Sequence, residues 1–102
     1  MTQTPPNANR LPVLVNLSTL ERFLLDGPSV TVGRGPSNML ILDSDEFVSN
    51  QHARIYWAEG GWWIEDLNSS NGTSVDDQIV SAPRKLAPGN VIKVGRTKFR
   101  IE

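Results

Sequence analysis

The chain has 102 residues, 38% hydrophobic and 21% charged, which is enough for one domain with a core of its own. A formal net charge of -1 leaves no electrostatic footprint for nucleic acid or an anionic membrane. The lack of cysteine excludes disulfides and thiolate metal sites, and one histidine without an acidic cluster offers no zinc site, so no metal or cofactor is expected.

Residues 1–10 are polar, contain Pro5-Pro6, and read as a disordered tail ahead of a domain spanning 11–102. Neither a signal peptide nor an apolar stretch of membrane-spanning length is present, so the expected location is cytoplasmic. Leu11, Val13, Val15 and Leu17 alternate, which predicts a half-buried strand with those four on one face. Short strands follow over 22–25 and 29–32, separated by the turn signal Asp26-Gly27-Pro28. Gly33-Arg34-Gly35-Pro36-Ser37-Asn38 is a loop, 40–42 a brief strand, and 43–50 an acidic connection interrupted by Phe47-Val48. A hairpin turns at Glu59-Gly60 between strands over 52–58 and 61–66.

Next comes Asp66-Leu67-Asn68-Ser69-Ser70-Asn71-Gly72-Thr73, a dense run of hydroxyls and amides closing on the turn signal Asn-Gly. Two very short strands around Asp76-Asp77, a turn at 86–90 and a last hairpin around Gly95-Arg96 complete the chain. Arg84-Lys85 reads as a solvated edge. No window has helical periodicity. Ten to eleven short strands at close intervals predict an all-β fold, a sandwich of two mostly antiparallel sheets or a barrel.

A sandwich gathers its loops at two ends. If Gly33-Arg34, Ser49 to His52 and Ser69 to Gly72 share one end, they offer a guanidinium, hydroxyls, amides and exposed backbone N–H groups. Those are anion-binding groups, and arginine suits multi-point recognition of phosphate.

At these residues the chain resembles the forkhead-associated (FHA) domain, a phosphothreonine-peptide-binding β-sandwich. The pieces that match are Val32-Gly33-Arg34, Val48-Ser49-Asn50-Gln51-His52, the octet 66–73, and Leu86-Ala87-Pro88-Gly89-Asn90-Val91-Ile92, in order across roughly residues 13–102. The resemblance implies that Arg34 pairs with phosphate, that Ser49 donates its hydroxyl to it, and that Asn50 adds a contact. It implies that Ser70 bonds the phosphate or shapes its loop, and that Asn71 holds the peptide backbone. Gly33, His52 and Gly72 would be scaffold, with His52 tying loops together. Phe47 would touch the third residue after the phosphothreonine and favour a neutral or apolar one. Asp43, Asp45 and Glu46 are expected to repel acidic peptide flanks. Asn50 stands where arginine is common in the family, so the site would carry one positive charge less than many relatives; Met39 stands where an acidic residue is frequent, a departure expected to touch loop packing more than binding.

The implied function is a non-enzymatic, phosphothreonine-dependent binding module in kinase signalling. Its partner would be a phosphothreonine protein, a serine/threonine kinase or its substrate, with no nucleic acid or membrane, bound by a monomer. Some relatives have a phosphorylated tail that occupies their own site, which makes Thr2 and Thr4 candidates for that role here. The alternatives are an FHA fold that binds partners without phosphorylation, or a hydrolase using Ser49, His52 and Asp66 as a triad. Trp57, Trp62 and Trp63 could form a base-stacking platform; adjacent Trp62 and Trp63 must face opposite ways, so at most one of them is core.

Overall fold

The computed structural model describes residues 12–102; the expected tail 1–10, with Thr2 and Thr4, and Leu11 of the expected first strand lie outside the described residues. Eleven strands form, in chain order: β1 Val13–Asn16, β2 Arg22–Leu24, β3 Ser29–Gly33, β4 Leu40–Ile41, β5 Ala53–Ala58, β6 Gly61–Asp66, β7 Thr73–Val75, β8 Gln78–Ile79, β9 Arg84–Lys85, β10 Val91–Val94 and β11 Thr97–Ile101. They make a six-stranded sheet in the order β2-β1-β11-β10-β7-β8 and a five-stranded sheet in the order β4-β3-β5-β6-β9. Every pairing is antiparallel except β3 with β4. The sandwich reading therefore holds, and the barrel does not. No helix among the described residues is long and apolar enough to cross a membrane.

The core lies between the sheets because alternate residues of each strand point inward. From the five-stranded sheet come Val30, Val32, Ile55, Trp62 and Ile64, and from the other Leu14, Val75, Ile92, Val94, Phe99 and Ile101. Trp57 stands edge-on to Trp62, with ring centroids 5.4 Å apart, while Trp63 is on the outer face and donates its indole N–H to the Ala58 carbonyl. This division of the tryptophans removes the stacking-platform reading: two are engaged with the core and the third is hydrogen-bonded to its own hairpin.

One expectation is corrected and another refined. In β1 it is Leu14 that faces the core, opposite Phe23 and Ile101, while Val13 and Val15 lie on the outer face and Leu17 is exposed. Three consecutive apolar residues carry no phase, and the flanking Leu11 and Leu17 suggested the wrong one. Arg84-Lys85 is the edge strand of the five-stranded sheet with Lys85 exposed, as expected, but Arg84 is more than a solvated side chain: the strand pairs with Trp63 and Ile64, and Arg84 donates across to the Val75 carbonyl and the Gln78 side chain.

Candidate phosphate-binding surface

Three loops meet at one end of the sandwich: 34–39 between β3 and β4, 42–52 between β4 and β5, and 67–72 between β6 and β7. The first two are joined by their backbones, with Arg34 N–H donating to the Ser49 carbonyl at 2.9 Å and Gly35 N–H to the Asn50 carbonyl at 3.2 Å. This approach is so close that a Cβ on Gly33 would meet the Asn50 carbonyl oxygen and the Asn38 amide, the latter at 2.7 Å. Glycine is required there for space. Buried Asn38 completes the joint by donating to the carbonyls of Gly35 and Asn50, at 2.8 and 2.6 Å. Reversing that amide would set its oxygen against two carbonyls, so its orientation is fixed by its partners.

His52, fully buried, joins the second and third loops. Its Nδ1 accepts the Ser49 backbone N–H at 3.0 Å, and its Nε2 lies 2.8 Å from the Gly72 carbonyl oxygen. A backbone N–H only donates and a carbonyl only accepts, so the imidazole must be neutral with its hydrogen on Nε2. Ser70 N–H donates to Ser49 Oγ at 3.0 Å, and Asn71 Nδ2 donates to the Phe47 carbonyl at 2.9 Å. Gly72, at φ 82°, lets the loop turn back into β7.

Asp66 organises the third loop from within. Its carboxylate accepts from the Ser69 N–H and hydroxyl and from the Thr73 hydroxyl, at 2.9, 2.5 and 2.7 Å, while Ser69 Oγ accepts the Gly72 N–H. Burial raises the Asp66 pKa, but the hydroxyls of Ser69 and Thr73 and the Ser69 N–H together outweigh it, and the carboxyl titrates below its ordinary value.

Asp45 plays the same part for the second loop. It accepts from the N–H groups of Phe47 and Arg96 and from the Thr97 hydroxyl, at 2.9, 2.8 and 2.7 Å. Burial raises its pKa, yet the Thr97 hydroxyl and the backbone donors leave it below the usual value. The Arg96 guanidinium lies over the Phe47 ring, 4.0 Å from its centroid. Asp45 therefore remains a carboxylate whose oxygens are occupied within the protein, while Asp43 and Glu46, which the sequence paired with it as repelling acidic flanks, are exposed.

All nine residues singled out from the sequence come together at this end. Arg34, Asn50, Ser70 and Asn71 are exposed, Ser49 and Gly72 are partly buried, Gly33 and His52 are buried, and Phe47 is 37% exposed at the edge. The Arg34 guanidinium has no hydrogen bond or ion pair among the described residues, nor has the Ser70 hydroxyl. Asn71 uses its amide nitrogen within the protein, on the Phe47 carbonyl, and its amide oxygen has no hydrogen bond among the described residues. The hydrolytic triad does not form: both His52 nitrogens are committed to backbone groups, and Asp66 is bonded to Ser69 and Thr73. Sequence reasoning missed Asn38, Arg96 and the clamping roles of Asp45 and Asp66. Those of Asp45 and Asp66 begin in local Asx-type bonds, from Phe47 N–H two residues on and Ser69 N–H three residues on, and so had a local signal.

Comparison with known proteins covers the same region. The FHA domain family model matches residues 30–95. FHA domain-containing protein FhaB of Mycobacterium tuberculosis is 31% identical over 94 residues, covering 92% of this chain and 60% of that protein. The oxoglutarate dehydrogenase inhibitor of Corynebacterium diphtheriae is 37% identical over 102 residues, covering 96% of this chain and 66% of that protein. The chain thus spans 60–66% of the length of these relatives. Among solved structures, one from a study of phosphothreonine-dependent FHA domain interactions superposes with a TM-score of 0.83 at 30% identity, covering 91% of this chain and 96% of that one. The FhaA FHA domain complexed with the intracellular domain of Rv3910 gives 0.82 at 30% identity, covering 89% and 99%.

Proposed function

The chain belongs to the FHA domain family, and from that premise we propose that it is a binding module for phosphothreonine-containing protein segments, acting in the cytoplasm downstream of serine/threonine kinases. The observation that carries the reading is the state of Ser49. Its oxygen already accepts the Ser70 N–H, so its hydroxyl hydrogen is the group left to donate, on a residue whose backbone is bonded to that of Arg34, the arginine with an uncommitted guanidinium. Family membership favours binding over catalysis, and the engagement of His52 supports this.

A phosphothreonine brings a charge of about -1.5 to -2 and three acceptor oxygens. Arg34 supplies the complementary charge and a planar set of donors, while Ser49, Asn50 and Ser70 supply further polar groups. Hydrogen bonds to charged groups contribute on the order of 1.5–3 kcal/mol each. A few of them, less the cost of ordering a flexible peptide, correspond to affinity of roughly micromolar order. Unphosphorylated peptide forfeits most of this, which makes the interaction a switch. The unbonded amide oxygen of exposed Asn71 is suited to accept a peptide backbone N–H beside the phosphothreonine.

The test is titration of phosphothreonine, phosphoserine and unphosphorylated versions of one peptide into wild type, Arg34→Ala and Arg34→Lys. The alanine variant is expected to lose binding with its fold intact, and lysine to recover only part, since an ammonium cannot reproduce the guanidinium fork. Normal binding by a folded Arg34→Ala protein, or equal binding of the unphosphorylated peptide, overturns the proposal.

A further inference from the structure

The outer face of the six-stranded sheet carries two rows of side chains. In one row Val15 lies between Arg22 and Arg100, and both arginines pair with the Glu102 carboxylate, at 3.5 and 2.6 Å. In the other row Lys98 is directly opposite Lys93, Lys93 is opposite Ser74, and Ser74 is opposite Ile79. Lys93 and Lys98 are exposed, and neither has an ion pair among the described residues. Residues 1–11 contain no carboxylate side chain that could supply one. The nearby Asp76 carboxylate is taken by the Asn90 amide and the Val91 N–H. Like charges placed directly opposite across strands are unfavourable, so the first row is neutralised and the second is not.

The unneutralised row runs into the phosphate-binding end. A shallow cleft of about 110 Å³ connects them, lined by Asn71, Gly72, Ser74, Ile79, Lys93 and Gly95. Asn71 is the residue whose free oxygen adjoins the peptide path, and Ile79 is 72% exposed at the sheet edge. A polypeptide held at Arg34 and Ser49 that passes over Asn71 is delivered onto Ser74, Lys93 and Lys98.

We propose that Lys93 and Lys98 form a second anion-binding strip that receives an acidic stretch flanking the phosphothreonine in the same partner protein. This rests on the reading of Arg34 and Ser49 as the phosphothreonine site. The occupant is inferred from charge complementarity and from continuity with that site. The strip opposes the expected selectivity on its own side of the site: Asp43, Asp45 and Glu46 repel an acidic flank that passes over the second loop, whereas one that passes over Asn71 meets two unpaired ammonium groups and is attracted. Because the strip is solvent-exposed, its contribution depends on salt.

The test uses one phosphothreonine peptide with neutral flanks and versions of it with an aspartate-glutamate tract before or after the phosphothreonine. Each is titrated at roughly 20 mM and about 300 mM salt, spanning weak and strong screening. Wild type is expected to bind one of the acidic versions about three- to ten-fold tighter at low salt, an advantage that high salt removes. The Lys93→Thr, Lys98→Thr double variant, with threonine suited to exposed sheet positions, should bind the neutral peptide like wild type and show no such advantage. Lys98→Glu alone, which turns the pair into an attractive one, should also erase it. An advantage retained by the double variant, or absent from wild type, overturns the strip. So does finding that phosphatidylglycerol-containing vesicles or duplex DNA bind through these lysines while acidic tracts have no effect. Failure of wild type to bind the neutral phosphopeptide instead overturns the phosphate site, and with it the strip built on that site.

Discussion

Ser49 is held by two residues of different loops: its backbone N–H donates to His52 and its Oγ accepts from Ser70. A serine fixed in this way has one rotational degree of freedom left, that of its hydroxyl hydrogen. The hydrogen bond proposed for Ser49 toward the phosphate would therefore be prepared before the ligand arrives.

Ser49→Ala should weaken phosphopeptide binding by roughly ten- to a hundred-fold, the equivalent of one hydrogen bond to a charged group. Stability should fall by less than about 1 kcal/mol, because the Ser70 N–H lies in an exposed loop and can turn to water. Ser49→Thr keeps the hydroxyl and should recover much of the affinity. Calorimetric titration alongside denaturant unfolding checks this; a large loss of stability with unchanged affinity would show that Ser49 is structural only.

Asp66 predicts a pH dependence. Its folded-state pKa lies below that of an ordinary aspartate, so the unfolded state takes up the proton first as pH falls. The stabilisation is therefore fully present above about pH 4 and is lost as pH drops through the folded-state pKa. Asp66→Asn should lower stability at neutral pH by on the order of 2–3 kcal/mol, through weakened bonds to Ser69 and Thr73. It should also show a shallower loss of stability below pH 4 than wild type. Parallel acid-unfolding curves for the two proteins would contradict the assignment of this role.

Phe47 and Arg96 predict selectivity. The ring is 37% exposed with the guanidinium over one face, which leaves an apolar ledge beside the Asn71 link. An apolar residue three positions after the phosphothreonine should be favoured by about 1 kcal/mol, a partial burial of one side chain. Phe47→Ala should flatten that preference without abolishing binding. A phosphopeptide library on wild type decides the matter, and enrichment of aspartate at the third position rules the ledge out.

What the sequence made legible was local or cumulative. The Glu59-Gly60 and Gly95-Arg96 hairpins and the Asn71-Gly72 turn are written in two residues each, because positive φ admits few residue types. The convergence of Arg34, Ser49 and Asn71 was legible only through the order of several motifs, each common alone. The phase of β1 was not legible, since Val13, Leu14 and Val15 are alike in polarity and only their neighbours Phe23 and Arg22 sort them. Nor was Asn38, whose two acceptors are carbonyls of Gly35 and Asn50, a contact set by loop approach rather than residue pattern. Arg96 over Phe47 and the facing of Lys93 by Lys98 depend on register between distant strands. Net charge concealed the latter entirely: a total of -1 is compatible with an uncompensated cationic row on one face.

The clamp on Asp45 has a temporal consequence. Its partners Arg96 and Thr97 lie 51 and 52 residues further along the chain. During ribosomal synthesis the loop bearing Phe47 and Ser49 emerges well before the hairpin that secures it, so it waits unanchored until β10 and β11 have left the exit tunnel. A nascent or prematurely terminated chain that ends before Gly95 holds Arg34 and Ser49 in its sequence but lacks the support that fixes their neighbourhood. A chain truncated before Gly95 is therefore expected to lack the phosphopeptide binding proposed for the finished domain.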